Sequence, residues 1–147
     1  MTREEAEARL GSFQEQLARA AARGKAEYDR LFDNAPPGIG AHEIDVEKRF
    51  VRVNPGELAL LGYRAAELLG KPVFDFIVMT EVAQRAIDKK LSGSLELKPF
   101  VRAFRKRDGS ALTLLLLDRH LKSAKGEIVG ICTVLTPIDS AAGPEKK

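Results

Sequence analysis

From Ala6 to Gly24, small and apolar residues recur in alternating steps of four and three, at Ala6, Leu10, Phe13, Leu17, Ala20 and Gly24. That spacing predicts an amphipathic helix with a narrow seam about three heptads long. Arg3, Glu4, Glu5, Glu7, Arg9, Glu15, Arg19, Arg23 and Lys25 solvate the other faces. A stripe so narrow suits a partner helix better than a broad core, so Leu10, Phe13, Leu17 and Ala20 are expected to pair two chains. A helix folded back on its own domain is the alternative. After Gly24 the apolar positions move to Tyr28, Leu31 and Phe32, a stutter that rotates the apolar face. Asn34-Ala35-Pro36-Pro37-Gly38 then ends the helix, because neither proline can continue it. The pattern divides the chain into an N-terminal helix over residues 1–30, a compact domain over 31–139 and a polar tail over 140–147.

Beyond Gly38 the period changes. Residues 39–44 and 50–53 read as short strands joined by the charged turn Asp45-Val46-Glu47-Lys48-Arg49. Asn54-Pro55-Gly56-Glu57 is a helix start, with Asn at the cap, Pro at the first helical position and Glu placed to reach back to the cap amide. The helix it opens closes at Gly62. A shorter helix over 65–69 stops at Gly70, residues 74–78 form an apolar turn, and a helix over 81–91 turns Val82, Ala86 and Ile87 inward. Ser92-Gly93-Ser94 releases the chain into strands at 100–105, 111–117 and 128–135. The first two of these are joined by Lys106-Arg107-Asp108-Gly109, a hairpin signal because glycine accepts positive φ.

A chain of 147 residues holds one ordinary domain. Its apolar share of 44% and charged share of 31% are those of a globular protein, and no apolar run approaches the roughly 20 residues of a membrane helix. Met1-Thr2-Arg3-Glu4-Glu5 lacks the start of a secretory signal, so a cytoplasmic location and no membrane partner are expected. One cysteine and two histidines cannot readily assemble a structural metal site. The basic cluster Arg102 to Arg107 precedes a turn and reads as a solvated rim, not as a nucleic-acid site.

Several segments, in this order, resemble the PAS family: Asn34-Ala35-Pro36-Pro37-Gly38-Ile39, Val53-Asn54-Pro55, Leu60-Leu61-Gly62-Tyr63, Glu67-Leu68-Leu69-Gly70-Lys71, Lys106 to Ser110 and Gly126 to Gly130. The resemblance covers about three quarters of the chain. It implies an α+β fold with a five-stranded antiparallel sheet in the order 2-1-5-4-3, short helices on one face, and a pocket between helices and sheet.

The resemblance also argues against three cofactor chemistries. The flavin-binding light sensors of the family carry a cysteine after the second helix, where this chain has Gly70-Lys71-Pro72-Val73, and a last-strand glutamine, where it has Leu135. The haem-binding members supply a histidine from the long helix, which has none here. Coumarate-type sensors use a cysteine in the helical segment, whereas Cys132 lies on the last strand.

Two-residue alternation, anchored on the family pattern, sends His42 and Ile44 inward, with Phe104, Leu112, Leu114, Leu116, Ile131, Thr133 and Leu135. Phe74, Phe76, Ile77, Val82 and Ile87 are expected to close the cavity from the helix side. The wall is apolar with polar points at His42 and Thr133, the composition of a small-ligand site and equally of a filled core. His42 is expected to be satisfied by Thr133 or backbone, with ligand binding or titration as alternatives. His120 is expected to be exposed. Cys132 and Val134 face the other way, toward the N-terminal helix or a second subunit.

No nucleophile triad, phosphate loop or carboxylate pair is placed by local sequence, so an enzyme is not expected. The expected function is a sensory module that binds a small ligand or a signalling protein partner and signals through homodimer packing. A constitutive dimerisation or scaffold module without ligand is the alternative. The Thr136-Pro137-Ile138-Asp139 ending and Gly143-Pro144 oppose a continuous C-terminal signalling helix.

Overall fold

The computed structural model describes residues 2–78, 80–93 and 97–138; the expected tail over 140–147 and Asp139 lie outside them. Helix α1 spans Arg3–Arg23 and α2 spans Lys25–Asp33. Strands β1 (Gly40–Asp45) and β2 (Phe50–Val53) follow, then α3 (Pro55–Leu61), α4 (Ala65–Leu68), a 3-10 turn at Val73–Phe76 and α5 (Thr80–Leu91). Strands β3 (Phe100–Arg105), β4 (Ala111–Lys122) and β5 (Ile128–Pro137) complete an antiparallel sheet in the order β2-β1-β5-β4-β3. This is the expected order, with β4 running five residues beyond the expected end at Leu117.

Thr2 starts α1 through a capping box. Its hydroxyl accepts from the Glu5 amide at 3.0 Å, and the Glu5 carboxylate accepts from the Thr2 amide at 2.8 Å. The helix breaks at Gly24, whose φ of 152° and ψ of 163° lie in a region essentially reserved for glycine. The stutter expected there is thus a break between two helices.

Two apolar clusters sandwich the sheet. On the inner face Ile44, Phe50, Phe104, Leu114, Leu116, Ile131 and Leu135 pack with Leu61, Leu68, Val73, Ile77 and Ala83 from the short helices. On the outer face Ala41, Val101, Leu115, Cys132 and Val134 pack with Ala6, Leu10, Phe13 and Leu17 of α1 and Phe32 of α2. Leu10, Leu17 and Ala20 are fully buried and Phe13 nearly so. This corrects the paired-helix expectation: the stripe Leu10, Phe13, Leu17 and Ala20 is covered within the chain, and Cys132 and Val134 lie against it. The reason is geometric. A narrow stripe matches any flat apolar surface of equal width, and the odd-numbered positions of β4 with the even-numbered positions of β5 supply one.

Asn54 knits the two sides together. Its Oδ1 accepts from the Ala41 and Glu57 amides, both at 2.9 Å, and its Nδ2 donates to the Phe32 carbonyl at 3.0 Å. A Cβ on Gly40 would lie 2.8 Å from Cα and Cβ of Glu57, so only glycine lets α3 lie this close to β1.

Candidate functional site

The inward alternation of β4 runs Leu112, Leu114, Leu116 and continues to Asp118, which is buried. On the neighbouring strands the register sets Asp118 opposite Thr133 and Thr133 opposite His42. A row of three polar side chains therefore crosses β4, β5 and β1 on the inner face. Each end of the row is an ion pair with a helix. His42 Nδ1 lies 2.8 and 3.0 Å from the two carboxylate oxygens of Glu57 on α3, with the side chains 3% and 0% exposed. Lys90 Nζ on α5 lies 2.8 Å from Asp118 Oδ2, with the side chains 7% and 5% exposed. Between them Thr133 Oγ1 donates to Asp118 Oδ1 at 2.7 Å.

Charges this deep require close partners. Burial pulls the His42 imidazole down, but the charge and hydrogen bond of Glu57 outweigh it and hold the group above its ordinary value. Lys90 moves the other way: burial lowers it despite Asp118. Its ammonium also sits 3.4 Å from the centroid of the Phe100 ring, a cation-π contact.

A cavity of about 30 Å³ lies beside this row, space on the order of two or three waters. His42, Ile44, Ile77, Ile87, Phe104, Leu116, Ile131 and Thr133 line it as expected, joined by Val73, Ala83, Lys90, Phe100, Arg102 and Asp118. Leu114 and Leu135 are buried in the same cluster beside it, with Leu112 partly buried against them. Phe76 packs at its edge, edge-on to Phe50 and Tyr63. Phe74 does not reach the cavity. At three residues per turn, the 3-10 turn points Val73 and Phe76 inward and rotates Phe74 away. Val82 is likewise 46% exposed, because the buried stripe of α5 is Ala83, Ile87 and Lys90.

Three further expectations are corrected. His42 is satisfied by Glu57, while Thr133 bonds Asp118. The Glu57 side chain accordingly reaches His42 and not the cap amide of its helix. His120 is half-buried, its Nε2 donating to the Lys90 carbonyl at 2.8 Å, because β4 continues past Leu117 and carries His120 inward.

On the outer face the same three strands carry a second row, one residue displaced: Arg119 opposite Cys132, and Cys132 opposite Glu43. Tyr28 of α2 bridges its ends, donating to Glu43 Oε2 at 2.5 Å and accepting from Arg119 Nη2 at 2.9 Å, with Cys132 Sγ 3.7 Å from the same oxygen. Gln14 of α1 donates to the carbonyls of Leu117 and Cys132 at 3.0 and 3.1 Å and accepts from Arg119 Nε at 3.0 Å. Burial pushes the Cys132 thiol up to about 12 and the Tyr28 hydroxyl up as well, so both stay protonated at neutral pH. A protonated, fully buried thiol is a packing group, not a nucleophile.

None of Glu57, Lys90, Arg102, Asp118, Gln14, Tyr28, Glu43 and Arg119 was expected at a site: Glu57 read as a cap, Tyr28 as an apolar helix position and Arg102 as part of a solvated rim, whereas Arg102 lines the cavity. Asp118 and Arg102 were within reach of the sequence pattern, since each continues an inward alternation, Leu114-Leu116-Asp118 and Phe100-Arg102-Phe104. Among the described residues no cluster of His, Cys, Asp or Glu is placed to hold a metal, and no helix is long and apolar enough to cross a membrane.

Residues 26–138 match the PAS fold. The PAS domain of an HTR-like protein from Haloarcula marismortui superimposes with a TM-score of 0.62 at 24% identity, over 85% of this chain and 97% of that one. A PAS domain from Colwellia psychrerythraea gives 0.68 at 16% identity, over 77% and 95%. The PAS-B domain of Drosophila melanogaster Cycle, with bound ethylene glycol, gives 0.58 at 20% identity, over 67% and 99%. No curated protein matches the chain.

Proposed function

The chain belongs to the PAS family, whose domains are generally sensory or interaction modules, and from that premise we propose that it senses a small molecule at the His42–Thr133–Asp118 row and reports occupancy to α1 and α2. One observation carries this reading. The inner and outer polar rows occupy adjacent residues of the same three strands, so His42 and Glu43, Thr133 and Cys132, and Asp118 and Arg119 are bonded neighbours. A shift of the backbone that re-seats one row must move the other, and the outer row is what holds Gln14 and Tyr28 of the helices. Coupling of this kind needs two arrangements with different affinity for the ligand. Catalysis forms no part of the proposal, nor does a nucleic-acid or membrane partner, and the location proposed is cytoplasmic. Pairing of two chains, in this reading, uses surfaces other than the covered stripe of α1.

Amide hydrogen exchange tests the coupling. Asp118→Asn loosens the inner row without touching α1, and the α1 amides from Leu10 to Ala20 are expected to exchange severalfold faster than the loss of global stability accounts for. Exchange in α1 that tracks global stability alone overturns the proposal.

A second reading, a constitutive interaction module without ligand, is favoured by the small cavity, far below the roughly 300 Å³ of an ordinary ligand pocket. Native mass spectrometry of the purified chain separates the two through bound mass.

A further inference from the structure

Among the described residues the inner face has more cation than anion. Glu57 answers His42 and Asp118 answers Lys90. Arg102, partly buried in the cavity wall on the inward side of β3, lies in the field of Asp118 but makes no salt bridge or hydrogen bond to a carboxylate among the described residues. Among the described residues its guanidinium donates only to the carbonyl of Val101, at 3.2 Å, and it stands 5.0 Å from the Phe100 ring that also carries Lys90. Two cations thus share one aromatic ring and the field of one carboxylate, whose two oxygens bond Lys90 and Thr133. A planar guanidinium with donors to spare in a partly buried wall is matched best by a planar carboxylate, which accepts two parallel hydrogen bonds. The remainder of the wall nearby, Ile87, Phe104, Leu116 and Ile131, is apolar, and the space admits only a few heavy atoms.

We propose that the cavity binds a short aliphatic monocarboxylate of acetate or propionate size, its carboxylate on Arg102 and its alkyl end against the Ile87 and Ile131 side of the wall. This deepens the sensory reading and rests on it only for the consequence of binding, not for binding itself. A carboxylate in this place neutralises the excess charge that otherwise accompanies burial of Arg102 and Lys90. An inorganic anion meets the charge but leaves the apolar wall unfilled, and a neutral alcohol does the reverse.

Titration of the full chain with sodium propionate, followed by amide chemical shifts at constant ionic strength set with sodium chloride, tests the inference. Expected is saturable binding with shifts centred on β3 and α5, weaker binding of phosphate, and affinity reduced by about tenfold or more in Arg102→Gln, with Arg102→Lys between the two. A thermal melt of each variant confirms that it folds. Absence of saturable shifts with propionate, or affinity unchanged in Arg102→Gln, overturns the assignment and leaves Arg102 a residue that stacks on Phe100. The two proposals fail separately. Saturable binding that leaves α1 exchange unchanged upholds the carboxylate site and sinks the coupling; accelerated α1 exchange in Asp118→Asn without propionate binding does the opposite.

Discussion

His42 and Glu43 are consecutive residues of β1, yet they belong to different kinds of polar site. On the inner face the row is made of full charges paired at the ends, His42 with Glu57 and Lys90 with Asp118, in side chains almost wholly out of water. On the outer face Gln14 and a neutral Tyr28 share the hydrogen bonding of Arg119 and Glu43, and all but Gln14 are partly exposed. Both rows are satisfied, with no buried side-chain nitrogen or oxygen lacking a hydrogen-bond partner among the described residues. Satisfaction alone therefore does not distinguish them. What distinguishes them is the consequence of losing a partner, since a buried ion left alone forfeits its solvation while a half-exposed hydroxyl turns to water.

The sharpest break of that comparison is Glu57→Ala, which strands the imidazole of His42. Urea unfolding is expected to show a loss of about 3–5 kcal/mol. A loss below about 1 kcal/mol would place the two rows in the same class.

Next in size is the response to pH. The folded-state pKa of His42 is raised, so the contribution of its pair to stability is fully present below the unfolded value of about 6.5 and is lost as pH rises through the folded value. The unfolding midpoint is expected to fall with rising pH in that window, and the fall is expected to vanish in the double variant His42→Gln, Glu57→Gln. A midpoint equally pH-dependent in both proteins means that another group titrates there.

The smallest effect belongs to the outer row. Tyr28→Phe removes one shared hydroxyl and is expected to cost about 1 kcal/mol in the same urea experiment, with the unfolding pH dependence of the unsubstituted chain retained.

Much of the fold was legible because its signals are local. The Asn54-Pro55 cap, the Asp108-Gly109 turn and the alternation Ile131-Thr133-Leu135 each act through neighbours in sequence, and each sits where it was expected. Phe74 and Val82 were misplaced where a pattern too short to fix its own phase had to be extended across a 3-10 turn and a helix start. The carboxylate partners of the inner row escaped for another reason. Glu57 reads in sequence as an ordinary capping residue, and nothing within its helix tells that β1 approaches closely enough at Gly40 to bring in His42.

Periodicity and turn chemistry, properties of the chain read in order, marked which segments become strands and helices, while the inward phase of His42 and Thr133 came from the resemblance to the PAS pattern. Only the tertiary structure decided what the faces of these elements meet. A stripe of Leu10, Phe13 and Leu17 is complementary to a second helix and to a sheet alike, and the choice fell to the sheet of the same chain, where Leu115, Cys132 and Val134 offer a surface tethered by a short connection. Ion pairs such as Lys90–Asp118 join residues far apart in sequence, and no local preference specifies them; they exist because the packed sheet brings a lysine and an aspartate together where water cannot replace either partner.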